Sequence, residues 1–141
     1  MANTKAYAAT APDSGLAPYA IDRRELRADD VAIEIDYCGV CHSDLHTVEN
    51  DWGGSKYPVI PGHEIVGRVT AVGPEVSHFK AGDLVGVGCM VDSCRSCSAC
   101  DSGLEQYCIE GSTMTYGSLD RHDLAAKHMH CIFVSITFSC I

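Results

Sequence analysis

Residues 57–73 read YPVIPGHEIVGRVTAVG, and the second half of this stretch decides the fold. From Ile65 to Gly73 it combines β-branched residues with glycines, which permit the tight bends and bulges that small barrels need at their corners. We therefore expect a curved β-strand here, with a close turn at Gly62 and His63 just before it.

Further strands are expected on both sides of this stretch. Residues 31–37 alternate apolar and other side chains, a period of two that predicts a strand with Val31, Ile33, Ile35 and Tyr37 on its buried face. Shorter β-rich runs read KAYAAT at 5–10 and LVGVG at 84–88. Between them, CHSDLHTVEN at 41–50 has the length of one or two helical turns. The pattern predicts a mainly β domain, a small barrel or sandwich.

Composition excludes some classes of function. The chain has 141 residues, 46% of them hydrophobic, which suits one globular domain. Ten basic and nineteen acidic residues give a formal charge of -9. Because nucleic-acid binders usually present a basic surface to the phosphates, we expect no nucleic-acid partner. The apolar run at 131–141 is too short to span a bilayer, so no membrane partner is expected either.

The chain has nine cysteines, and whether they form disulfides depends on whether the protein resides in an oxidising or a reducing cellular compartment. The first residues lack the apolar segment of a secretory signal, so we expect a cytoplasmic protein whose thiols serve metals rather than disulfides. Cys38 and Cys89 fall within strand patterns and are expected to be buried thiols of the core.

Four of the cysteines form a separate motif. Residues 94–108 follow the spacing C-x2-C-x2-C-x7-C, with ligands at Cys94, Cys97, Cys100 and Cys108. A short loop rich in Gly and Ser lets thiolates three residues apart converge on zinc, with Zn–S bonds of about 2.3 Å. The quartet indicates a metal more firmly than it indicates an enzyme, since other metal clusters use similar spacings.

A second group of potential ligands consists of Cys41 and the neighbouring pair His63 and Glu64. A catalytic zinc needs three protein ligands and an open position, and thiolate and imidazole are suitable donors. A cysteine and a histidine twenty-two residues apart are, taken alone, more often unrelated.

The sequence around these residues resembles that of the zinc-dependent medium-chain alcohol dehydrogenases, in particular the cinnamyl alcohol dehydrogenase-like branch. The matching stretches are YCGVCHSDLH at 37–46, YPVIPGHEIVGRVTAVG at 57–73, KAGDLVGVG at 80–88 and the cysteine loop through GLEQYC. The resemblance runs from about residue 4 to residue 123. It implies a GroES-like, partly open β-barrel with short helices and a zinc-binding loop lobe at 89–111.

The resemblance also implies a reaction, the NADP-dependent interconversion of a small alcohol and its aldehyde. Cys41 and His63 would bind the catalytic zinc, which lowers the pKa of an alcohol. Ser43 would receive the alcohol proton, and His46 would pass it to solvent. A helix cap is the alternative interpretation of Ser43. The cysteine quartet would bind a structural zinc.

Four further positions take roles from the family. Asp44 would orient the ligand histidine, and Glu64 would approach the zinc as an exchanging ligand. His42 would contact the pyrophosphate of the cofactor, and Trp52 would lie near the substrate cleft. For Asp44 and Glu64 the alternative is a solvated surface charge, and for Trp52 it is plain packing.

Part of the family pattern is not found in this sequence. We expect the third catalytic zinc ligand, a cysteine, and the Rossmann domain to be absent, because Gly86-Val87-Gly88 follows no βαβ unit. The resemblance stops after Asp123, so residues 124–141 are expected to be a divergent tail of a truncated, inactive form. This tail is either a terminal strand or unrelated to the preceding fold, and His128, His130 and Cys131 are weak candidates for the missing ligand.

A competing function is a non-catalytic zinc-binding structural or interaction module. The sequence leaves the alcohol substrate, the choice between NADP and NAD, and the oligomeric state open.

Overall fold

The computed structural model describes residues 3–122 and the backbone of residues 133–134. In chain order the elements are β1 (Asn3–Ala8), β2 (Ala17–Asp22), β3 (Val31–Gly39), α1 (His42–Glu49), β4 (Glu64–Val72), β5 (Leu84–Val87), β6 (Met90–Asp92), α2 (Ser98–Asp101), a 3-10 helix (Glu105–Tyr107), β7 (Thr113–Met114) and β8 (Phe133–Val134). The mainly β class expected from the sequence is confirmed, as are the strands expected around residues 5–10, 31–37, 65–73 and 84–88 and the short helix after Gly39.

The largest sheet has the strand order β5-β4-β3-β8, and each neighbouring pair is antiparallel. Along β4 exposed and buried residues alternate from Glu64 to Val69, as the period of two requires. The inward side chains form the main core, which consists of Val31, Ile33, Ile65, Val69, Val87 and Val91. This sheet therefore brings the end of β3 close to the start of β4. The residues that follow β3 and precede β4 form the first metal centre described below.

Gly67 allows β3 and β4 to approach closely. A Cβ atom at this position would lie 2.3 Å from the carbonyl oxygen of Glu34 on the paired strand. The register of the pair also shifts between Ile35 and Tyr37. Any larger residue at 67 would push the strands apart.

Three expectations about burial are wrong, two of them at or beside this register shift. Tyr37 was expected on the buried face of β3, but it is 77% exposed because the register shift changes which side chains face the core. Cys38, the next residue, is also exposed, and it lines an open cavity of about 710 Å³. Cys89 is exposed because it lies in the turn between β5 and β6. Neither cysteine is a core thiol.

Two smaller sheets and a second core complete the described part. β1 pairs with β2, and β6 pairs with β7. Ala9, Val48 and Val59 are buried together, with Tyr57 and Tyr116 packed against them. This cluster holds α1 against the strands. None of the helices in residues 3–122 is long and apolar enough to cross a membrane.

Most of the expected tail, 124–141, lies outside the described residues. Within it, Phe133 and Val134 pair with Ala32 and Val31 of β3. The domain boundary at residue 123 and the lobe limits at 89–111 stay predictions.

Candidate metal centres

The first centre lies where β3 leads into α1 and where the chain enters β4. Gly39 at the end of β3 pairs with Glu64 at the start of β4. The residues just beyond this pair, Cys41 and His63, are therefore brought together, although they are far apart in the sequence. The Sγ atom of Cys41 lies 3.6 Å from Nε2 of His63.

This separation fits a shared zinc ion. Zn–S bonds of about 2.3 Å and Zn–N bonds of about 2.0 Å at a tetrahedral angle place the two ligand atoms about 3.6 Å apart. Asp44 is the third member of the cluster, since its carboxylate, Cys41 and His63 offer ligand atoms that all lie within 4.8 Å of one another. The thiolate of Cys41 and the imidazole of His63 are donors that zinc prefers.

Asp44 is fully buried and organises the other two groups. Its Oδ1 accepts a hydrogen bond from the backbone N–H of Gly62 at 2.7 Å and lies 3.2 Å from Nδ1 of His63. Its Oδ2 accepts from the backbone N–H of Cys41 at 2.8 Å. Because the carboxylate accepts from Nδ1, the lone pair of Nε2 faces Cys41.

Gly62 makes this arrangement possible. Its φ angle is 111°, which favours glycine, and a Cβ atom would lie 2.4 Å from Sγ of Cys38. Both requirements exclude a larger residue immediately before His63.

Ser43 lies beside the ligand cysteine, with its Oγ 2.9 Å from Sγ of Cys41. The cap of α1 is Cys41, whose sulfur accepts from the backbone N–H of Ser43, while Asp44 completes the capping box. The hydroxyl of Ser43 is thus placed at the sulfur rather than used as the helix cap.

His46 lies about one helical turn after Ser43 on α1, and it contacts Asp51 and Trp52, two contacts that the sequence did not predict. Its Nδ1 is 2.7 Å from Oδ2 of Asp51, and its ring centroid is 5.0 Å from that of Trp52. Trp52 is 67% exposed, so it does not pack in the core. His42 is also exposed, with its ring centroid 6.0 Å from that of His46.

Glu64 is not part of the cluster that the structure brings together. It is exposed at the first position of β4, and its carboxylate lies against Gly39, where a Cβ atom would meet Oε2 at 2.6 Å. Among residues 3–122, the carboxylate grouped with Cys41 and His63 is that of Asp44.

The second centre is the cysteine quartet, which lies between β6 and β7. The sulfur atoms of Cys94, Cys97, Cys100 and Cys108 all lie within 4.8 Å of one another. The Sγ atom of Cys100 is 3.8 Å from that of Cys94 and 3.5 Å from that of Cys97. Tetrahedral Zn–S bonds of about 2.3 Å require S···S separations of about 3.8 Å, so the quartet fits a structural zinc.

The thiols of the quartet differ in acidity. Hydrogen bonds from the backbone at Cys100 and Ile109 lower the pKa of Cys97 to about 6. The Ser93 hydroxyl lowers the pKa of Cys100, but burial and the Cys97 thiol outweigh it and raise the value to about 11. A metal that binds all four deprotonates each of them.

Arg95 fastens the quartet to the sheet. Its backbone has a φ of 60°, and its guanidinium pairs with Asp29 at 2.6 Å and with Asp92 at 2.8 Å. These partners hold the pKa of Arg95 above its usual value, although partial burial acts to lower it. The loop that carries the cysteines is therefore tied to β6 and to the segment before β3.

Three residues near these centres were not expected from the sequence. Tyr116 stacks on the ring of His63 at 5.5 Å, Asp51 contacts His46, and Arg95 anchors the cysteine loop. The capping-box spacing could have pointed to Asp44, but no spacing pattern indicates these three contacts. The weaker candidates His128, His130 and Cys131 lie outside the described residues.

A comparison with known protein families agrees with the two metal centres. Residues 27–134 match the alcohol dehydrogenase GroES-like domain. The chain belongs to this family. The GroES-like fold and the family expected from the sequence motifs are thereby confirmed.

Relatives of this GroES-like domain come from the cinnamyl branch. The chain is 59% identical over 106 residues to probable cinnamyl alcohol dehydrogenase 3 of Oryza sativa subsp. japonica, a match that covers 75% of the chain. A cinnamyl alcohol dehydrogenase from Sorghum bicolor superposes with a TM-score of 0.86 at 43% identity over 94% of the chain. The cinnamyl alcohol dehydrogenase of Helicobacter pylori, solved with NADP(H), gives 0.84 at 40% identity over 92%.

The match covers only part of each relative. The chain spans 29% of the rice protein's length and 37% of the sorghum and Helicobacter chains. The domain therefore accounts for about a third of such an enzyme.

Proposed function

We propose that this domain is the zinc-binding catalytic part of an NADP-dependent alcohol dehydrogenase, which interconverts a small alcohol and its aldehyde. The observation that carries the proposal is the 3.6 Å separation between Sγ of Cys41 and Nε2 of His63, with Asp44 buried behind them. A protein that binds only a structural zinc at the cysteine quartet would not also need a thiolate–imidazole pair beside the hydroxyl of Ser43.

Zinc held by Cys41 and His63 would supply the charge that lowers the pKa of the alcohol, and bound NADP⁺ would supply the hydride acceptor. Residues of this chain would transfer the proton of the alcohol hydroxyl. Ser43 is the proposed acceptor of the alcohol proton, because its hydroxyl lies beside the ligand sulfur. Asp44 keeps the proton of His63 on Nδ1, so that Nε2 stays available as a ligand.

His46 is the proposed exit for the proton. Its side chain is 39% exposed, and Oδ2 of Asp51 lies 2.7 Å from its Nδ1 and orients the ring. The remaining roles follow the family: His42 contacts the cofactor pyrophosphate, Trp52 borders the substrate cleft, and Glu64 approaches the zinc as an exchanging ligand. Glu64 would have to leave its position against Gly39 to do so.

By itself the 141-residue chain is proposed to have negligible dehydrogenase activity. Among its described residues, Cys41 and His63 offer ligand atoms at the first centre while the carboxylate of Asp44 orients His63, and the chain spans about a third of its relatives. A cytoplasmic location is part of the proposal, since the seven described cysteines are free and metal binding needs reduced thiols.

A zinc-binding structural or interaction module is the second candidate. It is favoured by the cysteine quartet, whose four sulfurs form a complete zinc site within one loop. Such a module would bind zinc at the quartet and would not need the pair formed by Cys41 and His63.

A chimera tests the proposal directly. Residues 1–122 are joined to the part of the rice relative that lies beyond the match, which restores a full-length enzyme. We expect NADP-dependent oxidation of cinnamyl alcohol by the chimera and none by the chain alone. Replacing Ser43 with alanine should lower kcat by about 100-fold, as expected for loss of a proton-transfer group.

A control variant and a check of folding and binding make the chimera decisive. Ser96→Ala removes an exposed hydroxyl of the cysteine loop and should leave the rate unchanged. A chimera that is folded and binds zinc and NADPH, yet oxidises no alcohol, would contradict the proposed function and favour the module.

A further inference from the structure

His42 and His46 lie on one face of α1. They are four residues apart, the spacing that brings helical side chains together, and the same spacing lets two helical histidines share one metal ion. Their ring centroids are 6.0 Å apart, His42 is exposed, and His46 is partly exposed. The two imidazoles therefore lie near each other and within reach of solvent.

Asp51 and Trp52 fix the orientation of one of these rings. Because Oδ2 of Asp51 lies 2.7 Å from Nδ1 of His46, that nitrogen carries the proton and Nε2 keeps its lone pair. The ring of Trp52, tilted by 37° with its centroid 5.0 Å away, lies against the imidazole and restricts its rotation. A carboxylate behind a histidine is the arrangement that orients metal-binding imidazoles and raises their basicity.

We propose that His42 and His46 form an additional surface site for a divalent transition-metal ion, with Asp51 as the positioning residue of His46. Imidazole pairs favour ions such as Zn²⁺, Ni²⁺ and Cu²⁺ over Mg²⁺ or Ca²⁺, which prefer oxygen ligands. This site is distinct from the buried cluster of Cys41, Asp44 and His63.

The geometry needs only a small adjustment. Two imidazoles on one tetrahedral ion with bonds of about 2.1 Å hold their centroids about 5 Å apart. The pair must therefore close by about 1 Å, which the exposed side chain of His42 achieves by small rotations about χ1 and χ2 while His46 stays against Asp51. Water completes the coordination on the exposed side.

An ion at this site would occupy the imidazole that the proposed function uses as the proton exit. Metal binding here would thus inhibit the dehydrogenase reaction, a consequence that rests on the proposed function. The site itself does not rest on it, because the bound metal can be counted without any activity.

Equilibrium dialysis of the full, zinc-loaded chain against Ni²⁺ tests the site. Ni²⁺ is chosen because, unlike Cu²⁺, it does not oxidise thiols under these conditions. We expect His42→Ala and His46→Ala each to lose one equivalent of bound Ni²⁺ relative to the unmodified chain. Asp51→Asn should keep the equivalent but weaken its binding by about 10-fold.

Matched variants separate this site from the others. His78→Ala removes an exposed histidine elsewhere and should bind as much Ni²⁺ as the unmodified chain. Cys41→Ala should retain the surface equivalent. If His42→Ala and His46→Ala bind the same amount of Ni²⁺ as His78→Ala, the proposed site does not exist.

Discussion

The two metal centres differ in how far apart their ligands lie along the chain. The quartet gathers its four sulfurs from residues 94–108, within a single loop. Cys41 and His63 are separated by a helix and a long loop, and they meet because β3 and β4 pair beside them. The loop centre is thus encoded locally, whereas the other centre exists only once the sheet has formed.

This difference predicts opposite dependences on metal. A loop without its own core draws much of its stability from zinc, because the free energy of metal binding then adds to the free energy of folding. The centre at Cys41 is organised before metal arrives, since Asp44 already accepts hydrogen bonds from two backbone N–H groups and orients His63. Metal removal should therefore lower the stability of the cysteine loop and leave the centre at Cys41 in place.

The largest effect is expected from Cys100→Ser, which removes one of the two buried ligands of the quartet. Loss of the structural zinc should lower the free energy of unfolding by several kcal/mol, given that zinc contributes about 10 to 16 kcal/mol in isolated zinc fingers. Thermal unfolding measures this change. Cys89→Ser makes the same chemical change at an exposed cysteine outside the cluster, and it should leave Tm within about 1 °C of the unmodified chain. Equal loss in both variants would mean that the quartet is not a stabilising metal site.

Asp44→Ala should rank second. It leaves the buried N–H groups of Cys41 and Gly62 without an acceptor, at about 1 to 3 kcal/mol each in free energy of unfolding. Zinc affinity at Cys41 should fall at least 10-fold as well. Chemical denaturation and zinc titration measure the two effects. Asp44→Asn retains one oxygen acceptor and should lose less stability, so an equally severe loss would contradict the role assigned to the carboxylate.

Arg95→Met should have a smaller effect, because it loosens the cysteine loop without touching a ligand. Asp92 is nearly buried and would lose one of its charge partners, at about 1 to 3 kcal/mol. Urea denaturation measures the change, and Arg68→Met is the matched control. The pair between Arg68 and Asp36 is exposed and 4.0 Å long, so its loss should cost less than about 0.5 kcal/mol. Indistinguishable values would show that Arg95 does not anchor the loop.

The smallest effect concerns reactivity rather than stability. In the metal-free chain at pH 7, the pKa of about 6 makes Cys97 mainly thiolate, whereas a pKa of about 11 keeps Cys100 protonated. Only the thiolate attacks iodoacetamide, so Cys97 should be alkylated at least 10-fold faster. Labelling of Cys97 should decline as the pH falls below 6. Mass spectrometry of the labelled peptides gives both rates, and equal rates would show that the loop does not keep this arrangement without metal.

The sequence predicted the parts of the molecule that depend on local patterns. The strands at 31–37 and 65–73, the helix after Gly39 and the cysteine cluster all follow from period or spacing. β2 escaped notice because APYAID contains Pro18 and lacks a clear alternation. β6 has three residues and β7 has two, which is too short for the two-residue alternation of a strand to be recognised in the sequence.

What the sequence could not predict depends on contacts between distant segments or on irregular backbone. The shift between Ile35 and Tyr37 turned Tyr37 outward, although a regular strand would have buried it. Asp51 reaches His46 because Asn50 ends α1 in the left-handed conformation and turns the chain back. Neither the shift nor the turn leaves a periodic signal in the sequence.

The central claim is that this domain contains two independent zinc centres, and counting bound zinc tests it most directly. The unmodified chain, Cys41→Ala, Cys100→Ser and the double variant are dialysed against the same low concentration of free zinc and measured by elemental analysis. We predict that each single variant binds one equivalent less than the unmodified chain and that the double variant binds two less. If Cys41→Ala binds as much zinc as the unmodified chain, the pair formed by Cys41 and His63 is not a metal centre.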